Sequence, residues 1–355
     1  MPVTGPVLVV GAGLLGTSVG MALTRAGTEV HLSDVHAANV RTATALGAGR
    51  ARPPGAVPAL VVVAVPPDHL ATCVAAALEE SDAVVTDVGS VKSAPLATVR
   101  GLVDATALTR YVGSHPMAGS ERSGPLAASA ALFEGRPWAV APHGASTAAA
   151  VRAVTDLVLA CGATPVRFTP DEHDRAVART SHLPHLLAAL VAGRLSDAPR
   201  EHLVLSGQGV RDVTRIAGGD PALWQQIIAA NTGALSELLR DVRDDVDTLL
   251  GALAAGERGP VAALLDRGRR GTSAIPAKHG GPPRPETTVY VVVPDTPGEL
   301  ARLLAHTGEI GVNIEDLRID HDPDREAGLV ELTVAAASVD HLLGSLGDRG
   351  WSAHR

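Results

Sequence analysis

Residues 6–34, PVLVVGAGLLGTSVGMALTRAGTEVHLSD, decide the fold of the N-terminal part of the chain. An apolar run from Val7 to Val10 enters a Gly-x-Gly-x-x-Gly turn at Gly11, Gly13 and Gly16. A helical pattern follows, and a second strand, Glu29 to Ser33, ends at Asp34. Strand, glycine turn, helix and acid-tipped strand together make the βαβ unit that binds dinucleotides. Gly11 permits the tight turn, Gly13 lets the main chain approach a pyrophosphate, and Gly16 lets the helix pack close to the strand. Ala12, Leu14 and Leu15 complete the turn, where a helix N-terminus offers free N–H groups and a positive dipole end to the phosphates. Asp34 stands where a carboxylate accepts hydrogen bonds from the adenosine ribose. Val35 and His36 follow it, with no arginine for a 2′-phosphate, so the expected cofactor is NAD rather than NADP.

Composition bounds the rest. A chain of 355 residues has room for two or three domains, each with its own core. A formal net charge of −8 and the lack of a basic block argue against nucleic acid as a partner. No apolar run of about 18 residues and no charged-then-apolar leader appear, so a cytoplasmic protein without a membrane partner is expected. Cys73 and Cys161 lack metal-ligand spacing and read as small apolar packers; no metal site is expected. Lysine occurs only at Lys92 and Lys278.

From Pro2 to about Pro170, short apolar strands alternate with Ala-rich helices. The strands are Val7–Val10, Glu29–Leu32, Leu60–Ala64, Ala83–Thr86, Tyr111–Gly113 and Pro137–Ala141. The alternation predicts a mostly parallel sheet with helices on both faces and ligands at the strands' C-terminal ends. Beyond Asp171 the segments 171–196, 200–217, 221–254 and 257–267 read as helices by their three-to-four apolar spacing. Asp220-Pro221 is a strong helix start. The long amphipathic segment 221–254 suits burial against a twin subunit, so a homodimer is expected; packing within one chain is the alternative. Residues 268–286, rich in Gly, Pro and Arg, read as a linker. A strand at 287–293, a helix at 297–309, strands at 312–319 and 328–335, a helix at 338–347 and a strand at 350–354 then give a βαββαβ order. The expected organisation is a dinucleotide-binding domain over 1–170, a helical domain over 171–267, the linker, and a small α/β domain over 287–355.

Several residues suit chemistry. Strand 60–64 runs into Val65-Pro66-Pro67, where the prolines deny the crevice wall a helical continuation. Strand 83–86 runs into Asp87-Val88-Gly89-Ser90-Val91-Lys92. Ser90 either presents its hydroxyl to a ligand or caps the next helix. Lys92 is either a ligand contact or solvated. Strand 111–113 ends at Ser114-His115-Pro116-Met117-Ala118-Gly119, and a histidine facing a nicotinamide site is where alcohol oxidation needs its base, because the hydroxyl proton must be accepted as C=O forms. In Thr180-Ser181-His182-Leu183-Pro184-His185, Ser181 and His185 share a helix face; they line a substrate or form an ordinary hydrogen-bonded cluster. Pro184 lies within a turn of a helix start or else kinks the helix. Arg211 and Arg215 offer guanidinium forks for a carboxylate, Arg215 above all, unless Asp212 pairs with either. Trp224 walls the pocket or packs in the core.

Taken in order, GAGLLGTS, VAVPP, TDVGSVK, SHPMAGSE, TSHLPH, RDVTRIA and DPALW resemble the prephenate/arogenate dehydrogenase family of tyrosine biosynthesis over residues 6 to about 280. The resemblance implies NAD-dependent oxidative decarboxylation, with loss of hydride from the ring carbon bearing the 4-hydroxyl and release of CO₂ as the ring aromatises. It makes His115 the catalytic histidine and Ser90 the serine near the reacting hydroxyl. Arg215 becomes the clamp on a substrate carboxylate, and the Ser181/His185 face surrounds the substrate side chain. The implied fold class is α/β: a Rossmann-type domain, an all-helical dimerisation domain and a small C-terminal domain. That last domain resembles the ACT module on Pro294-Asp295-Thr296-Pro297-Gly298-Glu299-Leu300 and Gly311-Val312-Asn313-Ile314. The likeness implies an amino-acid effector, tyrosine, near Asp295, Gly298, Gly311 and Asn313, or a tail kept for dimerisation alone.

Prephenate is the expected substrate, since no acidic partner for an ammonium group stands near Ser181–His185. Arogenate is the close alternative, and an amino-substituted prephenate a third. A catalytically silent NAD- or amino-acid-responsive regulator is the reading from another class; Ser90, His115 and Arg215 together argue against it.

Overall fold

A computed structural model of the protein describes residues 3, 5–119, 123–275, 285–321 and 327–355. Ser120 and Glu121 of the SHPMAGSE segment, residues 276–284 of the expected linker and Lys278 within it lie outside the described residues. The chain forms two compact units, residues 1–251 and 252–355.

The first unit is built on an eight-stranded sheet. Its strands are β1 (Val7–Val10), β2 (Val30–Ser33), β3 (Arg50–Ala51), β4 (Leu60–Val63), β5 (Val84–Asp87), β6 (Tyr111–Pro116), β7 (Pro137–Ala141) and β8 (Thr164–Arg167). The spatial order is β3-β2-β1-β4-β5-β6-β7-β8. All neighbours are parallel except β6 and β7. The first six follow the doubly-wound order, with the chain reversing direction of travel between β1 and β4, and a crevice opens at such a switch point. Both sheet faces are covered, which is why strands such as Leu60–Val63 are apolar throughout. Val7, Val9, Leu60 and Val62 enter one core; Leu8, Val61, Val63 and Val85 enter the other. The edge strands β3 and β8 are absent from the sequence reading: β3 has two residues, and β8 carries Thr, Pro and Arg in an exposed setting.

Strand β6 is longer than predicted. It runs through His115 to Pro116 because β7 pairs with it antiparallel, His115 opposite Ala139 and Pro116 opposite Trp138. Pro66 and Pro67 do not hold off a helix; Pro67 opens the helix Pro67–Glu80, its fixed φ suited to a first turn.

Each long helical segment of the second half is broken. Segment 171–196 becomes Pro170–Val177, a wide π turn at Ala178–His182 and Leu183–Ser196, with Pro184 in the first turn of the last piece. A proline lacks the N–H that would continue the preceding ladder, so the backbone widens before it. Segment 200–217 divides into Arg200–Leu203, Gln208–Thr214 and a 3₁₀ turn at Arg215–Gly218. Segment 221–254 breaks at Asn231 into Pro221–Ala230 and Thr232–Ala255. Asp220 caps the former as expected, accepting the Ala222 N–H at 2.9 Å. The next helix, Gly259–Ser273, takes up the first residues assigned to the linker. No described helix is long and apolar enough to cross a membrane.

The second unit contains the βαββαβ succession β9 (Glu286–Pro294), helix Glu299–Ile310, β10 (Asp316–His321), β11 (Ala327–Ala335), helix Val339–Asp348 and β12 (Ser352–His354). The antiparallel order is β10-β11-β9-β12. Val289, Val291, Leu303, Val330, Leu332 and Leu342 are buried in its core. Gly298 and Gly311, both at positive φ, bound its first helix, and Asn313 Nδ2 donates to Glu315 at 2.8 Å. Residues 312–315 lie outside the strand predicted to include them, which starts at Asp316.

Candidate active site

The glycine turn is the first part of the site. Gly11 has φ of 98°, and a Cβ there would lie 2.3 Å from the Ala64 carbonyl oxygen and 3.2 Å from Val65 Cγ1. A Cβ at Gly16 would lie 1.9 Å from the Gly11 carbonyl oxygen, whereas one at Gly13 meets nothing within 4 Å. Protein therefore fills the space beside the first and third glycines, and the second faces open space at the start of the helix Leu14–Arg25. That is the room a diphosphate needs. Ala12 is buried, and its N–H donates to Asp34 Oδ2 at 2.7 Å; the His36 N–H donates to Oδ1 at 2.7 Å. Two main-chain donors thus orient the carboxylate and leave lone pairs for further donors such as ribose hydroxyls. Val35 beside it is 95 % exposed. This arrangement fits a dinucleotide.

Beneath the ends of β5 and β6 lies a buried polar network. Lys92, expected to be solvated or at a ligand, is 1 % exposed and pairs with the fully buried Asp87. Its Nζ also donates to the Ser114 carbonyl at 2.7 Å. Asp87 accepts the Tyr111 hydroxyl at 2.8 Å and the Gly89 N–H at 2.8 Å. Burial first, then the Asp87 charge, pushes the Tyr111 hydroxyl well above its ordinary range. Ser114 donates to the Asp87 carbonyl at 2.7 Å and accepts the Trp138 indole N–H at 3.0 Å. These bonds hold the two strand ends that carry Ser90 and His115. Ser90 does not cap the following helix; Lys92 is at the cap position, and the carboxylate of Asp174 takes the N–H groups of Lys92 and Ser93, each at 2.8 Å. Ser90 lines a cavity of about 190 Å³ with Gly89, Leu70, Ala94, Ile227 and Ala230.

His115 is half-buried. Its Nδ1 lies 3.0 Å from His173 Nε2, and His173 Nδ1 lies 2.8 Å from Asp174 Oδ1. Burial, with the neighbouring His173, Lys92 and His182, holds the His115 imidazole well below its usual pKa. Burial lowers His173 too, against the pull of Asp174. Burial alone would raise Asp174, but the bonds from His173, Ser93 and Lys92 outweigh it and hold the carboxyl below its ordinary value. A capping box, Thr169 with Glu172, starts the helix that carries His173 and Asp174.

The helical side completes the site. Asn231, in the break after Pro221–Ala230, donates to the Asp174 carbonyl at 2.8 Å and lies 3.2 Å from His182 Nδ1. His182 is 1 % exposed, and burial lowers its pKa to about 4. The His185 ring stacks on Trp224 with centroids 3.5 Å apart, and His182 meets the same indole edge-on at 6.1 Å. The wide π turn therefore aligns His182 with His185 on Trp224, whereas Ser181 is half-buried in that turn. His185, Leu186, Ala189, Trp224 and Ile228 line an open cavity of about 460 Å³. Arg211 and Arg215 are exposed on the short helical turns 208–218, and Asp212 accepts the Gln208 amide at 3.0 Å. The turn bearing Arg215 ends at Gly219, where a Cβ would lie 2.6 Å from the Trp224 indole nitrogen and 3.2 Å from His185 Cε1.

The structure thus joins His182, His185 and Trp224 on one side, and ties His115 through His173, Asp174 and Asn231 to them. Asp87, His173, Asp174 and Asn231 escaped the sequence reading. Asp87 and Asn231 were findable as polar residues inside apolar stretches; His173-Asp174 resembled the acidic first turn of any helix.

Residues 19–167 match the family model "Prephenate dehydrogenase, nucleotide-binding domain", and residues 169–266 match "Prephenate dehydrogenase, dimerization domain". The chain is 36 % identical to "Probable prephenate dehydrogenase NovF" of Streptomyces niveus, over 98 % of this chain and 99 % of the relative. It is 25 % identical to the prephenate dehydrogenase of Bacillus subtilis, over 92 % of this chain and 91 % of the relative. A crystal structure of prephenate dehydrogenase from Aquifex aeolicus, in complex with hydroxyphenyl propionate and NAD⁺, has the same fold with a TM-score of 0.67 at 24 % identity, covering 75 % of this chain and 96 % of that one.

Proposed function

The chain belongs to the prephenate dehydrogenase family, and on that premise we propose that it catalyses the NAD-dependent oxidative decarboxylation of prephenate to 4-hydroxyphenylpyruvate in tyrosine biosynthesis. The observation that carries the reading is His115 at the end of β6, engaged through Nδ1 by His173, with Nε2 making no hydrogen bond among the described residues and so suited to a substrate proton. NAD⁺, when bound at the glycine turn, supplies the hydride acceptor. His115 takes the proton of the 4-hydroxyl as that carbon becomes a carbonyl; loss of the ring carboxylate as CO₂ returns the electron pair, and the aromatic hydroxyl recovers its proton. Ser90 orients the reacting hydroxyl, and Arg215 pairs with a substrate carboxylate in the bidentate manner of a guanidinium. His182, His185 and Trp224 border the side chain, with Arg211 as a second cation. The protein's task is positioning and one proton transfer.

The test is NADH formation with prephenate and arogenate, each with NAD⁺ and NADP⁺. Turnover of prephenate with NAD⁺ supports the reading; preference for arogenate keeps the mechanism and makes tyrosine the product; silence with both overturns it. His115→Asn loses most turnover and keeps NAD binding if the histidine handles only the proton.

The match to the dimerization domain supports a homodimer, checked by the sedimentation mass. The βαββαβ unit supports tyrosine feedback at Asp295, Gly298, Gly311 and Asn313; unaltered kinetics at saturating tyrosine refute it.

A further inference from the structure

We propose that Asp174, acting through His173, fixes His115 as its Nδ1–H tautomer and so keeps Nε2 bare for the substrate proton; this rests on the dehydrogenase reading above. The inference follows from counting hydrogens along the chain of bonds. The Asp174 carboxylate receives the main-chain N–H groups of Lys92 and Ser93 as well as the His173 ring. Main-chain amides only donate and do not titrate, so both carboxylate oxygens are held as acceptors. His173 Nδ1, 2.8 Å from Oδ1, must then be the donor. A neutral imidazole carries one N–H, so His173 Nε2 is a bare acceptor. His115 Nδ1, 3.0 Å away, must in turn carry the hydrogen, and Nε2 has none.

The same counting fixes the tautomer of a neighbouring ring, His182. Asn231 spends one amide hydrogen on the Asp174 carbonyl and directs the other to His182 Nδ1, which makes that nitrogen an acceptor and places the His182 hydrogen on Nε2. No hydroxyl capable of reversing its direction interrupts the chain from Asp174 to His115. When His115 Nε2 accepts a proton, the imidazolium already has a partner on Nδ1, with a carboxylate one ring behind it. His173 and Asp174 are positioning residues in this scheme.

Asp174 also caps the helix Ser93–Leu102, so replacing it mixes two roles. Changing His173 separates them, because the cap is untouched. Glutamine at this position can donate to Asp174 and accept from His115, whereas leucine does neither. The experiment is nitrogen NMR of the full chain labelled at the histidine rings, with the His115 signals identified by their loss in His115→Asn, beside steady-state kinetics on prephenate and NAD titration. Wild type and His173→Gln are expected to show His115 protonated at Nδ1 only, and His173→Leu to show proton at Nε2. Turnover in His173→Leu falls by about 10²-fold or more, the range for a mis-set general base, while NAD affinity is kept. His173→Gln stays within about fivefold of wild type in kcat. A proton on Nε2 of wild-type His115, or kcat of His173→Leu within about twofold of wild type, overturns the proposal. A wild-type protein inert toward prephenate defeats the dehydrogenase reading instead, and the NMR tautomer still decides the relay.

Discussion

Replacing Lys92 by methionine removes one ammonium group from the interior and little else, since the two side chains have similar length. Lys92 is 1 % exposed and its partner Asp87 is fully buried. In Lys92→Met, Asp87 keeps the Tyr111 hydroxyl and the Gly89 N–H, but its negative charge has lost the ammonium group paired with it. Breaking a buried pair from one side costs about 3–5 kcal/mol, because desolvation of the remaining charge is no longer offset. For a unit of this size each kcal/mol moves the melting temperature by roughly 2–4 °C, so the expected drop is roughly 6–20 °C. Removing the second charge as well, in Asp87→Asn/Lys92→Met, should restore part of the loss, with a coupling of about 1–3 kcal/mol between the sites. Guanidinium unfolding of wild type, both single variants and the double variant measures this cycle. Turnover of Lys92→Met should also fall, because Nζ holds the Ser114 carbonyl immediately before His115. A single variant within about 1 kcal/mol of wild type, or a double variant as unstable as the sum of the singles, refutes the reasoning.

The glycine turn separates binding from folding. Gly13→Ala adds a methyl to open space and should weaken NAD binding about tenfold by calorimetry with an unchanged melting temperature; Gly16→Ala drives a methyl into the Gly11 carbonyl and should cost about 1–3 kcal/mol of stability or more. Arg215→Lys replaces a planar fork by a point charge, so KM for prephenate should rise about tenfold with a smaller change in kcat, as read from initial rates. Acid should destabilise the fold through His182: its pKa is about 4 when folded against 6.5 unfolded, so the unfolded chain binds more protons between those values. The contribution is full above pH 6.5 and is lost as pH falls toward 4, amounting to about 3 kcal/mol, which unfolding curves across that interval will measure.

Much of the candidate site is legible in the chain because its signals are local. The turn at Gly11, Gly13 and Gly16 with Asp34 is one contiguous unit, and Ser90 and His115 stand near strand ends recognisable from short apolar runs. Pro66-Pro67 reads in sequence equally as a helix barrier or a helix start, and the structure makes it a start, because which applies depends on whether the next turn packs. His115 proved to lie within β6, since the extra strand length comes from antiparallel pairing with β7, a partner more than twenty residues away. The π turn at 178–182 changed which residues share a face, bringing His182 beside His185 on Trp224.

By itself, the sequence determined the dinucleotide fold, the family, the candidate base and the order of elements in the C-terminal unit, because turn geometry, hydrophobic period and motif spacing act between neighbours in the chain. Only the tertiary structure decided what surrounds the base. Lys92 and Asp87 are five residues apart, yet their burial depends on β5 and β6 lying side by side. The bond from His115 to His173 spans 58 positions, and those from Asp174 to the Lys92 and Ser93 amides span 82 and 81. Long-range hydrogen bonds are made by folding different elements together, and nothing in the local pattern of His173-Asp174 distinguishes a partner of His115 from the charged first turn of an ordinary helix.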